Sequence, residues 1–186
     1  MTTKKTIKTK PVKRLTAAQK RVLIAEDTIA WLNTKAIKAK RGNYFKAPAS
    51  GIKVKGHDDK LDVALATTKK PCQVCALGGM FYSMVRRFDK VTVGIGDINS
   101  RLNGEYFIDV GVAGIFDELG RYFSHHQLAM IESAFETTDM FEWDDYDHID
   151  EATADKAIKF ALKMTPAGRL RKIMNNIIEN KGVFEP

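Results

Sequence analysis

The strongest constraint on the fold of this 186-residue chain is an apolar run that begins after Pro71 and ends at Phe88. Its apolar side chains cover more than one stripe of a helix, and polar residues are scarce before Arg86. A helix that is apolar on nearly all sides belongs at the centre of a domain, so the run predicts a central buried helix. Gly78 and Gly79 lower its stability but allow another element to approach closely.

Capping residues followed by periodic apolar positions mark four other helix starts. These starts are Thr16 with Gln19, Ser124 with Gln127, Asp150, and Thr165 followed by Pro166. The helices are predicted to end near residues 33, 135, 164 and 182, with Gly182 at the left-handed C′ position of the last one. A further helix is predicted from about Asp109, with a strand over residues 106–110 as the alternative.

The predicted fold is therefore mainly α, a single compact helical domain of about six helices with, at most, a short β element. Residues 1–15 are predicted to form a flexible basic arm, since they have almost no apolar side chains. Residues 16–186 are predicted to form the domain, and residues 41–70 a long basic loop within it that can contain short strands. No segment approaches the roughly 18 apolar residues of a membrane span, no secretory signal is visible, and no membrane partner is predicted.

Charge is unevenly distributed along the chain, which has 30 basic and 23 acidic residues. Residues 1–21 contain eight basic residues and no acidic ones, whereas residues 122–155 contain ten acidic residues and no Lys or Arg. The pattern predicts one surface for nucleic acid or an acidic partner and one acidic-aromatic surface for a basic partner. The first set is Lys4, Lys5, Lys8, Lys10, Lys13, Arg14, Lys53 and Lys55. The second set is Phe141, Trp143, Asp144, Asp145, Tyr146 and Asp147.

Cys72 and Cys75 form a lone CxxC, and two cysteines indicate a reducing compartment. A zinc or redox module is the alternative function here, but zinc needs four ligands, and the adjacent His125 and His126 point about 100° apart on a helix. The favoured interpretation is two small buried apolar residues, with no metal and no cofactor. No EF-hand, phosphate loop or nucleophile elbow is present in the sequence, so no catalytic residue is predicted and the chain is predicted not to be an enzyme.

Three segments together resemble a group of small uncharacterised proteins carried by bacteriophages and related bacterial elements. They are PCQVCALGGMFYSMV (71–85), FSHHQLAMIESAFE (123–136) and RKIMNNIIENKGVFEP (171–186). The resemblance implies a viral accessory product in a bacterial cytoplasm. With the charge pattern, it gives the hypothesis of a non-enzymatic protein that inhibits or modulates a host defence or nucleic-acid-handling complex. A protein that binds nucleic acid on its own is the alternative.

Overall fold

The computed structural model describes residues 14–48, 70–88, 100–102, 105–109, 112–137 and 149–186. This part of the chain contains six helices and five short strands, which confirms the predicted mainly α fold of about six helices. The helices are α1 Ala17–Asn33, α2 Ala76–Arg87, α3 Val112–Leu119, α4 His125–Glu136, α5 Glu151–Ala161 and α6 Pro166–Glu179. The strands are β1 Ile37–Ala39, β2 Phe45–Pro48, β3 Cys72–Val74, β4 Ser100–Leu102 and β5 Glu105–Asp109.

Helix α2 is the predicted central helix, and every residue from Ala76 to Val85 is buried. The prediction was wrong about its start, because Cys72–Val74 form strand β3 and Cys75 is the N-cap of the helix. The two glycines have the predicted role. A Cβ at Gly78 would lie 1.5 Å from the carbonyl oxygen of Tyr44, and Gly79 lies against Thr28 of α1.

The strands form one sheet in the order β1-β3-β2-β5-β4. Strands β1 and β3 are parallel, and the other pairs are antiparallel. This sheet is larger than the predicted β element, and β2 is a short strand within the segment predicted to be a long loop that can contain short strands. The predicted helix start at Asp109 was wrong, because α3 begins at Val112, whereas the alternative of a strand over residues 106–110 is confirmed by β5.

Local N-capping explains where four of the helices begin. Thr16 and Gln19 form the predicted capping box of α1, and Ser124, Asp150 and Thr165 each accept a backbone N–H at the start of their helices. The second predicted capping box is only half formed. The Gln127 side chain instead donates to the Phe184 carbonyl at 3.1 Å and accepts the Phe184 N–H at 2.7 Å.

The last helix closes in a Schellman motif. Gly182 donates its N–H to Ile177 at 2.7 Å, and Lys181 donates to Ile178 at 3.1 Å. The prediction placed Gly182 at C′, but Lys181 occupies that position with φ of 53°, and Gly182 follows at C″ with φ of 98°. The C-terminal segment therefore contains two consecutive residues in left-handed conformations.

The core lies between α1, α2, α4 and α6, where α1 packs on α2 and α6, and α4 packs on α5 and α6. Its centre contains a small polar network in which the Thr28 hydroxyl contacts the Ser83 hydroxyl at 2.8 Å and donates to the Ile24 carbonyl. Among the described helices, none is both long and apolar enough to cross a membrane.

Candidate functional site

Most residues of the two predicted charged surfaces lie outside the described part of the chain. These are Lys4, Lys5, Lys8, Lys10, Lys13, Lys53 and Lys55 of the basic set, and Phe141, Trp143, Asp144, Asp145, Tyr146 and Asp147 of the acidic-aromatic set. Arg14 is described and exposed. Within residues 122–155, the interpretation as one acidic surface was wrong for Glu132 and Glu136, which are both buried on α4.

The two cysteines are buried free thiols. Cys72 lies in β3, while the sulfur of Cys75 accepts the N–H of Gly78 at 3.4 Å and lies 3.7 Å from the carbonyl oxygen of Tyr44. Although Cys75 stands at a helix N-terminus, burial raises its thiol pKa well above the usual range. A reactive thiolate needs the opposite change in pKa, so the geometry favours the structural interpretation of Cys75.

The described residues contain no group of three or more His, Cys, Asp or Glu side chains that could hold a metal ion. His126 is exposed, and His125 packs edge-on against the Phe116 ring at 6.4 Å between centroids. Within this part of the chain, neither histidine forms such a group with the two thiols.

The buried Glu136 carboxylate connects α4 to the turn between β1 and β2. It accepts the N–H of Gly42 at 2.9 Å and lies 3.8 Å from the guanidinium of Arg41, which also donates to the Glu136 carbonyl. Burial raises the pKa of Glu136, while the bond from Gly42 and the charge of Arg41 oppose that rise. Glu136 therefore has partners for its negative charge.

Glu132 lies one turn earlier on α4 and has a different environment. Burial and the charge of Glu136 raise its pKa to about 7, although the neighbouring Tyr44 hydroxyl acts in the opposite direction. Its Oε1 atom is buried without a hydrogen-bond partner in the described structure. This arrangement can keep a proton on Glu132 close to neutral pH, because burial disfavours the charged form.

Arg169 connects the ends of three helices. Its buried guanidinium donates to the carbonyls of Phe135 at 2.9 Å, Leu162 at 2.8 Å and Met164 at 3.1 Å. These bonds satisfy carbonyls that helix ends leave without partners. They also fix the turn between α5 and α6, and α5 ends at Ala161 rather than near residue 164 as predicted.

Beside that turn lies an open groove of about 610 Å³ between α5 and α6, which we call the α5–α6 groove. It is lined by Phe160, Met164, Thr165, Gly168, Arg171, Lys172, Asn175, Asn176 and Glu179. Lys172 places its ammonium group 4.0 Å from the centre of the Phe160 ring and donates to the Phe160 carbonyl. The Arg171 guanidinium donates to the Asn33 side chain at 2.8 Å.

The α5–α6 groove is a concave surface that carries both charge and exposed apolar side chains. Residues 156–172 contain six basic residues and no acidic one, and of these only Arg169 is buried. Leu162 and Met164 are 48% and 43% exposed beside it. Sequence reasoning missed this surface because it considered only the inward faces of α5 and α6. The signal was the basic run itself.

Comparisons with known proteins give no relative for this chain. No family model matches it, and no curated protein and no solved structure is similar to it. The resemblance to phage-encoded proteins stays a prediction.

Proposed function

We propose that this chain is a non-enzymatic accessory protein of the phage type, which binds a bacterial host defence or nucleic-acid-handling complex and inhibits or modulates it. The sequence supports this proposal through its separated charges, with eight basic residues in residues 1–21 and ten acidic residues in residues 122–155, of which Glu132 and Glu136 are buried. Such a separation attracts and orients charged partners. The bacterial setting rests on the resemblance alone.

The α5–α6 groove is the observation that carries the proposal. It is lined by the exposed Met164 and Arg171, and the exposed Leu162 and Lys163 lie beside it in the turn between α5 and α6. Apolar groups supply binding energy when they leave water, and the charges select the partner. A surface of this composition suits recognition of another macromolecule.

The experiment is affinity capture from nuclease-treated bacterial lysate at about 0.1 M salt and at higher salt. We expect the wild type to retain a specific host protein, and the double variant Lys163→Glu/Arg171→Glu to retain much less of it. Lys38→Glu, an exposed charge change on β1, is the matched control and should behave like the wild type. If no specific protein is retained at either salt concentration, the proposal is wrong.

Direct binding of nucleic acid is the second candidate, and the basic run of residues 1–21 favours it. Phosphate contacts made by such a run give an affinity that falls steeply with salt. We expect a labelled DNA duplex to bind at about 50 mM salt and to lose most of its affinity when residues 1–14 are deleted. Unchanged binding after this deletion would contradict the candidate.

A further inference from the structure

We propose that the α5–α6 groove binds an acidic, amphipathic peptide segment of a protein partner. This inference rests on the proposed function and deepens it, because it names the class of ligand and the surface that holds it. Three properties support it, namely the exposed apolar side chains at the groove, the positive charge around it and the contacts already made by the Phe160 ring.

The apolar side chains are held in an exposed position by the fold. The described residues have three exposed large apolar side chains, and two of them, Leu162 and Met164, lie in the turn between α5 and α6. The buried guanidinium of Arg169 donates to the carbonyls of both residues, so the backbone that presents them is fixed before a ligand arrives. A surface fixed in advance loses less entropy on binding.

The charge around these side chains selects an acidic ligand. Lys163 and Arg171 are exposed, and Lys172 lines the groove. Lys159 is paired with Asp155 at 3.1 Å, while residues 156–172 themselves contain no acidic residue. Carboxylates placed over this surface would meet an excess of positive charge, which favours their approach and sets their position.

The aromatic ring in the groove favours a peptide over nucleic acid. Single-stranded nucleic acid commonly stacks its bases on exposed aromatic faces. The Phe160 ring has the Lys172 ammonium 4.0 Å from its centre and packs perpendicular to the Phe184 ring, with centroids 5.3 Å apart. Exposed Leu162 and Met164, by contrast, match the apolar side chains of an amphipathic peptide.

The length of α6 sets the size of the ligand. Its 14 residues correspond to about 21 Å, which a helical peptide of about the same length can follow. We expect the apolar side chains of the peptide to contact Met164 and its carboxylates to lie towards Arg171. Such a helix would present apolar anchors at i, i+3 and i+4.

The test is fluorescence anisotropy of the full chain with a labelled peptide of about 14 residues. The peptide carries Leu at i, i+3 and i+4 positions and Glu elsewhere. We expect Arg171→Glu and Met164→Ser each to weaken binding about fivefold or more, and Lys38→Glu to change it little. Peptides with Glu→Gln or Leu→Ser changes should bind more weakly to the wild type.

Several outcomes would overturn the inference. The first is that the wild type does not bind the acidic peptide at about 0.1 M salt. The second is that both groove variants bind the peptide as tightly as the wild type does. The third is that single-stranded DNA binds more tightly than the peptide and that the same variants abolish this binding. If thermal unfolding shows that Met164→Ser is not folded, Leu162→Ser and the exposed change Arg171→Gln replace it.

Failure of this inference can be separated from failure of the proposed function. Host-protein capture that survives in the groove variants, without peptide binding, would overturn the groove and leave the function. Peptide binding that the groove variants lose, without capture of any host protein, would support the groove and contradict the proposed function.

Discussion

At the scale of single residues, Glu132 is a buried group whose charge affects stability. In an unfolded chain its pKa is near 4.5, and in the folded protein it is about 7. The folded state therefore binds more protons between these values, so this residue makes the protein less stable as pH rises from about 4.5 to about 7. At about 1.4 kcal/mol per pKa unit, the difference corresponds to at most about 4 kcal/mol.

We predict that Glu132→Gln removes most of this pH dependence, because Gln has a similar shape and does not titrate. The free energy of unfolding, measured in urea at pH 5 and pH 8, should rise in the variant relative to the wild type at pH 8. Glu26→Gln on the exposed side of α1 is the matched control and should leave the pH dependence unchanged. An equal loss of stability between pH 5 and pH 8 in Glu132→Gln and the wild type would contradict the prediction. Any pH dependence left in the variant would then come from other groups, of which Glu136 is one.

Lys181 is the other residue with a clear individual effect, since it has φ of 53° at the C′ position of α6. A side chain in this conformation costs about 1 kcal/mol, and Gly avoids that cost. We predict that Lys181→Gly raises the free energy of unfolding by about 0.5–1 kcal/mol, measured by urea denaturation. Lys181→Ala keeps the Cβ and should give no gain. Equal stabilisation by both changes would assign the effect to the loss of the lysine charge instead.

At the scale of elements, the contact between α2 and the turn before β2 depends on the absence of one side chain. A Cβ at Gly78 would lie 1.5 Å from the carbonyl oxygen of Tyr44, which is a backbone atom. We predict that Gly78→Ala lowers the free energy of unfolding by about 3 kcal/mol or more, because the turn must move away from the helix.

Gly79→Ala is the comparison for this prediction. Its added Cβ would lie 3.2 Å from a methyl carbon of Thr28, and Ala is the better helix former. We expect it to change stability by less than about 1 kcal/mol in the same urea titration. If Gly78→Ala is no more destabilising than Gly79→Ala, the close approach of Tyr44 to α2 is wrong.

The elements that sequence reasoning predicted well are those specified by nearby residues. Four helix starts are marked by a side chain that accepts the backbone N–H three residues further along the chain, namely those of Thr16, Ser124, Asp150 and Thr165. The sheet was predicted only in part, for the opposite reason. Strands β1 and β3 have three residues each, and they pair across more than thirty residues of intervening chain. Such short segments show no reliable period of their own.

The candidate site was harder to predict than the helices, because a run of charge does not specify a direction. Glu132 and Glu136 lie in the most acidic part of the chain, yet their spacing of four residues places both on one face of α4, and that face is buried. The basic run around Arg171 shows the opposite case, an exposed charged surface that was not predicted. Arg171 lies on the exposed side of α6, and the apolar spacing of that helix predicts only its buried face.

At the scale of the whole molecule, the two ends of the described chain are joined through side chains. Arg21 of α1 donates to the Tyr122 carbonyl at 2.8 Å and to the Gly182 carbonyl at 2.6 Å. Gln127 of α4 makes two bonds to the backbone of Phe184. These contacts link the first helix, the fourth helix and the segment after the last helix, so the C-terminal residues form part of the core.

Phe184 tests this closure, since its side chain is fully buried only two residues before the end of the sequence. We predict that Phe184→Ala lowers the free energy of unfolding by about 3–5 kcal/mol, as expected for loss of a buried phenyl ring. Glu185→Ala, which keeps the backbone bonds to Asn176, should change it by less than about 0.5 kcal/mol. Thermal and urea unfolding of the full chain would measure both.

Because the Phe184 ring supports Phe160 in the α5–α6 groove, Phe184→Ala should also bind the acidic peptide more weakly if it remains folded. Equal stability of Phe184→Ala and Glu185→Ala would show that the C-terminal segment does not close the core.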